Sequence, residues 1–177
     1  TLVFDWSKVC TRGGMVEPLS NYLSEKLGRT REEVNSALKS IGNGYLAGQI
    51  TGEQFLEDIM RALNVTDVAV ESLMEALTID SEVNEEMLEF IKSIKGKYDL
   101  VLFSDCPKEK SEFIVQKYQL DTVFDQMVFS YQTGFVRPEV DSYQQLIEMT
   151  DINPETSLMI DDRIDNLNGA KDLGFST

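Results

Sequence analysis

Asp5, Ser104, Arg137 and the pair Asp161-Asp162 are residues whose types could do chemistry together, and each lies just past a short apolar run. Leu2-Val3-Phe4 ends on Asp5, Leu100-Val101-Leu102-Phe103 ends at Ser104, and Leu158-Met159-Ile160 ends on Asp161-Asp162 with Asn166 shortly after. Met127-Val128-Phe129 precedes Arg137-Pro138. Apolar β-forming runs of this kind read as buried parallel strands. Their last residues arrive at the carboxyl edge of the sheet, where open α/β sheets bind ligands. Carboxylates drawn there from opposite ends of the chain make the oxygen-only environment that Mg²⁺ prefers. Ser104 stands just ahead of a helix whose free N–H groups favour an anion. Together these residues suit a divalent cation and an anionic ligand side by side.

The elements that must position them alternate, with one interruption. After the first strand comes a short loop with Gly13-Gly14, then helices. Met15, Leu19, Tyr22, Leu23 and Leu27 mark an amphipathic helix closed by Gly28. Thr30 with Glu33, and Thr51 with Gln54, are capping boxes that open two more. Gly42-Asn43-Gly44 is expected to break the first of these, and further helices are expected over 67–77 and 83–95. From Asp99 onward strands and helices alternate, which predicts a parallel sheet with right-handed crossovers. Pro107 and Pro138 each open a helix, a position that suits Pro. The chain therefore divides into an α/β core over 1–14 and 96–177 and a helical module over 15–95. Gly174-Phe175-Ser176-Thr177 reads as the start of another strand, with the end of the sheet lying beyond it.

The composition narrows the partners. A net charge of −15 with 16 basic and 31 acidic residues argues against neutralising nucleic-acid phosphates. A small anionic ligand remains compatible, because a cation and a few local Lys or Arg can reverse the sign inside a pocket. Without His, no Ser-His or Cys-His nucleophile pair can form. Cys10 and Cys106 make neither a disulfide framework nor a zinc set, so a reducing cytoplasm is the expected setting. No apolar stretch approaches the roughly 20 residues needed to cross a bilayer, so no membrane partner is expected.

Taken in order, the motifs resemble the haloacid dehalogenase-like superfamily of hydrolases. Phe4-Asp5-Trp6-Ser7-Lys8-Val9 is similar to its first motif and Leu102-Phe103-Ser104-Asp105 to its second. Gly134-Phe135-Val136-Arg137-Pro138 stands where the family usually has Gly-x-x-Lys-Pro, and Met159-Ile160-Asp161-Asp162 followed by Asn166, Ala170 and Gly174 matches its fourth. The resemblance implies a Rossmann-like core with a helical cap inserted between the first two motifs. It also implies a phosphatase acting on a small phosphorylated metabolite. Asp5 would then be the nucleophile. Mg²⁺ would be held by Asp5, the Ser7 carbonyl and Asp162, with Asp161 a ligand or the holder of a bound water. Ser104 and Arg137 would bind the phosphoryl group.

Two positions depart from the family pattern. Most of its phosphatases carry an Asp two residues after the nucleophile as general acid, and here that residue is Ser7. Arg137 replaces Lys, and a planar fork is not a compact ammonium. Asp105 is expected beside the substrate or as a helix cap. In the cap, Tyr45 is the expected substrate contact. Two rival readings remain at this level: a dehalogenase-like hydrolase acting on carbon, and a catalytically impaired module of the same fold that binds a ligand.

Overall fold

The computed structural model describes residues 1–177. The four apolar runs become β1 (Leu2–Phe4), β2 (Leu100–Ser104), β3 (Gln126–Phe129) and β4 (Leu158–Ile160). They form one parallel sheet in the order β3-β2-β1-β4. Phe4 pairs with Leu102 on one side and Ile160 on the other, so Asp5 and Asp161 leave neighbouring strands at the same level. Alternate residues feed two cores, as the period of a strand requires. Phe4, Leu100 and Leu102 face one apolar cluster, while Val3, Val101 and Phe103 face another on the opposite side. Leu158 also bridges Ser176 in parallel, where a further strand was expected to begin.

The interruption consists of α1 (Val16–Leu27), α2 (Arg31–Leu46), α3 (Gly52–Ala62) and a 3₁₀ helix over Val70–Thr78. Both capping boxes form, with Thr30 accepting from the Glu33 N–H and Thr51 from the Gln54 N–H. These helices enclose an apolar cluster of their own, built on Leu23, Val34, Phe55, Leu56, Ile59 and Leu73. The expected break at Gly42-Asn43-Gly44 does not occur: α2 runs through it to Leu46. Two helical glycines cost about 1 kcal/mol each, and the burial of Tyr45, stacked on Phe55 at 4.3 Å, offsets that cost.

Helix α4 (Glu85–Ile94), expected with the helical module, turns Leu88 and Ile91 into the sheet's own cluster. The stretch before it is extended rather than helical. Thr11 and Val83 form an antiparallel bridge, flanked by Arg12 N–H to Glu82 O at 2.8 Å and Asn84 N–H to Cys10 O at 2.9 Å. The two chain passages between core and helices therefore lie side by side.

The remaining helices are α5 (Lys108–Tyr118), α6 (Leu120–Val123), α7 (Ser130–Thr133), α8 (Val140–Thr150) and α9 (Ile164–Lys171). Helix α5 also joins the two parts. Lys110 Nζ lies 2.9 Å from Asp80 Oδ1 and donates to the Ile79 carbonyl, all away from solvent. Glu109 accepts from the Tyr45 hydroxyl at 3.0 Å and the Gly52 N–H at 3.2 Å. A Cβ on Gly52 would stand 2.8 Å from Glu109 Oε1 and 2.5 Å from Leu77 Cδ1, so a larger residue here would have to displace the ends of those two side chains. No helix is long and apolar enough to cross a membrane.

Candidate active site

At the carboxyl edge of the sheet one buried guanidinium collects the acids. Arg137 Nη2 donates to Asp5 Oδ1 at 2.8 Å and Nη1 to Asp161 Oδ2 at 2.5 Å, while Nε lies 3.3 Å from Asp105 Oδ2. Its Cζ stands 4.9 Å from the centre of the Phe103 ring, which closes the other face. The planar fork permits this: an ammonium could not reach three carboxylates in fixed directions. Asp161 is held further by both its oxygens on Asn166 Nδ2, at 3.1 and 2.9 Å, and by the Arg163 N–H at 2.8 Å.

Asp5 is set by its neighbour strand, since its N–H donates to Ile160 O at 2.9 Å. Beyond it the chain makes a wide turn over Trp6–Cys10, with Lys8 at a left-handed φ of 61° and its N–H on Thr11 Oγ1 at 3.0 Å. Lys8 Nζ reaches back to within 3.5 Å of Asp162. Carboxylate oxygens of Asp5, Asp161 and Asp162 all lie within 4.8 Å of one another. Such a set of hard oxygen donors fits Mg²⁺. Burial pushes the Asp5 carboxyl up, and Asp161 beside it adds to that, against the pull of Arg137. Burial also works against the charge of Arg137, but Asp5, Asp105 and Asp161 together hold the guanidinium above its ordinary range.

A cavity of about 530 Å³ opens over these groups, lined by Asp5, Ser7, Ser104 and Asp162 below and by Arg31 and Asn35 of α2 above. Ser104 is buried at the end of β2. Asp105 does not cap α5, whose cap residue is Pro107. Its Oδ1 accepts from the Arg137 backbone N–H at 3.1 Å, and its Oδ2 stands in an ion pair 3.3 Å from Nε, which makes no hydrogen bond. Tyr45, expected to touch the substrate, is absent from the walls of this cavity and lines a second, apolar one. Cys10 and Cys106 are free and buried, and burial pushes both thiols up, away from the thiolate form that a nucleophile needs.

The family model for haloacid dehalogenase-like hydrolases matches residues 1–174. The chain belongs to the haloacid dehalogenase-like hydrolases. Among curated proteins it is similar to D-ribitol-5-phosphate phosphatase of Bacteroides thetaiotaomicron, 26% identical over 137 residues. That match covers 73% of this chain and 66% of the phosphatase, so the chain spans just under two thirds of its relative's length. Among solved structures it is similar to a HAD family enzyme of Bacteroides thetaiotaomicron in complex with magnesium and inorganic phosphate. The TM-score is 0.80 at 20% identity, over 99% of this chain and 91% of that one. A predicted HAD-like family hydrolase from Porphyromonas gingivalis gives a TM-score of 0.80 at 22% identity, over 99% and 88%. At these identities the likeness is one of fold.

In this haloacid dehalogenase-like hydrolase the motif residues Asp5, Ser104, Arg137, Asp161 and Asp162 meet at one edge. Arg31, Asn35 and Arg163 also line the cavity, and no motif points to them. Arg31 and Asn35 are one helical turn apart and so share a face. Which face of α2 turns inward depends on how the helices pack, and no local signal carries that.

Proposed function

We propose that the chain is a Mg²⁺-dependent phosphatase acting on a small phosphorylated metabolite through an aspartyl-phosphate at Asp5. The observation that carries this is the Arg137 cluster: a buried cation holds Asp5 and Asp161 in place, with Asp162 alongside and an open cavity above. The curated relative is a phosphatase, and the similar Bacteroides enzyme was solved with magnesium and inorganic phosphate, which supports the same chemistry here.

Asp5, the Ser7 carbonyl and Asp162 would hold the ion, with Asp161 alongside. When bound, Mg²⁺ offsets the repulsion between a carboxylate and an anionic phosphoryl group. An Asp5 oxygen attacks phosphorus, the bond from phosphorus to the leaving oxygen breaks, and that oxygen departs with the electron pair. Water then attacks phosphorus, phosphate leaves, and the Asp5 carboxylate is restored. Ser104 donates to the phosphoryl oxygens, and Arg137 keeps Asp5 aimed. Asp105, bonded to the Arg137 backbone N–H and ion-paired with its guanidinium, positions that side chain. The unit Val16–Thr78 acts as a cap over the site.

The test is a panel of phosphate esters and acyl phosphates with and without Mg²⁺, with Asp5→Asn as the blank. Phosphate release that needs both the ion and Asp5 is expected. Release that survives Asp5→Asn overturns the reading. Binding of Mg²⁺ and phosphate with no turnover of any substrate would favour the rival suggested by Ser7, a binding module without catalysis.

A further inference from the structure

A second cavity of about 290 Å³ adjoins the first, and Met15, Val16 and Asn35 stand in the walls of both. The chemistry of the walls differs sharply. Two of the fifteen residues lining the first cavity are hydrophobic, against ten of the fifteen lining the second. The second includes Leu19, Leu38, Leu46, Phe55, Leu77 and Ile79, all from the helical unit and its exit. Tyr45 adds an aromatic wall: its ring stacks on Phe55, and its hydroxyl is already bonded to Glu109. At the junction Val16 is 55% exposed, an apolar side chain left open beside a polar site.

A cavity of about 150 Å³ lined by such residues already takes up benzene, and specific small-molecule sites begin at about 300 Å³. A polyol or sugar tail would lose its water here without gaining hydrogen bonds. A hydrocarbon tail would gain.

We propose that the second cavity is the tail site of the same substrate, so that the chain acts on amphipathic phosphates: an anionic head at Asp5 and an aliphatic or aryl portion between α1, α2 and the 3₁₀ helix. This rests on the phosphatase reading for the head. Contiguity carries it, since the walls shared by the two cavities let one molecule occupy both. An apolar cavity elsewhere in the cap would mark only imperfect packing.

Alkylphosphonates, which cannot be hydrolysed, separate binding from turnover. With Mg²⁺ in excess, calorimetry should show affinity rising from methyl- to butyl- to hexylphosphonate by about fourfold per methylene. Two variants should flatten that series. Gly42→Leu adds bulk where a Cβ meets nothing within 4 Å, at a helical glycine in the wall. Leu19→Asn puts a polar group into the half-buried wall. Methylphosphonate binding with a flat series in the wild type overturns the tail site and leaves the phosphatase reading standing. A rising series that neither variant alters places the tail elsewhere and overturns it too. If no phosphonate binds, the head site fails, and this proposal fails with it.

Discussion

Two buried cations, Arg137 and Lys110, sit on the same molecule in opposite electrostatic situations. Lys110 meets one carboxylate, Asp80, and the carbonyls of Thr78 and Ile79, so the pair is balanced. Arg137 meets three carboxylates, Asp5, Asp105 and Asp161, while the exposed Asp162 beside them pairs with Lys8. The first arrangement joins two parts of the fold. The second leaves buried negative charge uncompensated, which costs stability and favours a divalent cation. Balance therefore goes with structure here, and imbalance with the site proposed for chemistry.

The sharpest way to break this contrast is Asp5→Asn. Turnover should fall on the order of 10⁴-fold or more. Stability should move the other way. Burial raises the Asp5 carboxyl above its ordinary 3.8, so the folded chain keeps a proton that the unfolded chain has released. The group's contribution thus falls as pH rises from 3.8 to the raised value, and above it the whole cost remains. In metal-free buffer at neutral pH the Asn variant should melt higher than wild type, with the advantage shrinking as pH falls toward 3.8. Excess Mg²⁺ should reverse the order by stabilising wild type. A variant that melts lower without metal would mean that the cluster is balanced after all.

Ser7 tests the chemistry of the same cluster. With no acid at this position, acyl and aryl phosphates should turn over far better than alkyl phosphates, whose alkoxides leave poorly unless protonated. Ser7→Asp should narrow that gap by up to about 10²–10⁴-fold in kcat/KM. Efficient hydrolysis of alkyl phosphates by wild type would show that another group gives the proton.

At the joint the expected effects are on folding alone. Lys110→Met should cost about 3–5 kcal/mol in urea unfolding, because it strands Asp80, whose Oδ2 already lacks a partner. Adding Asp80→Leu should recover most of the loss, and failure to recover would mean that the ion pair itself stabilises the joint. Glu109→Ala should cost less, about 1–3 kcal/mol, for the bonds to Tyr45 and Gly52.

Much of this was legible in the chain, for reasons that differ by residue. Apolar runs stopping on Asp5, Ser104 and Asp161 announce both the strands and the edge to which they deliver, since burial and period act locally. The capping boxes at Thr30 and Thr51 are local too. The continuity of α2 through Gly42 and Gly44 was not legible, because it depends on Tyr45 finding Phe55 across the helical unit. The hold of Asp105 on Arg137, the inward face of Arg31 and Asn35, and the apolar cavity all arise from packing between distant segments. Tyr45 lies in the helical unit beside a pocket, but that pocket is the apolar one.

The pairing of Thr11 with Val83 bears on how the chain folds. β1 lies inside the sheet, between β2 and β4, so during synthesis it waits for partners made long after it. The helical unit, with its own apolar cluster, can collapse in that interval. Once it does, residues 11 and 83 stand together, and the loop separating β1 from β2 shrinks to the short passages on either side. Loop closure weakens only logarithmically with length, so the saving is on the order of 1 kcal/mol in the barrier. Early collapse of the insertion thus offsets the longer search that its length would impose on the sheet's central pairing.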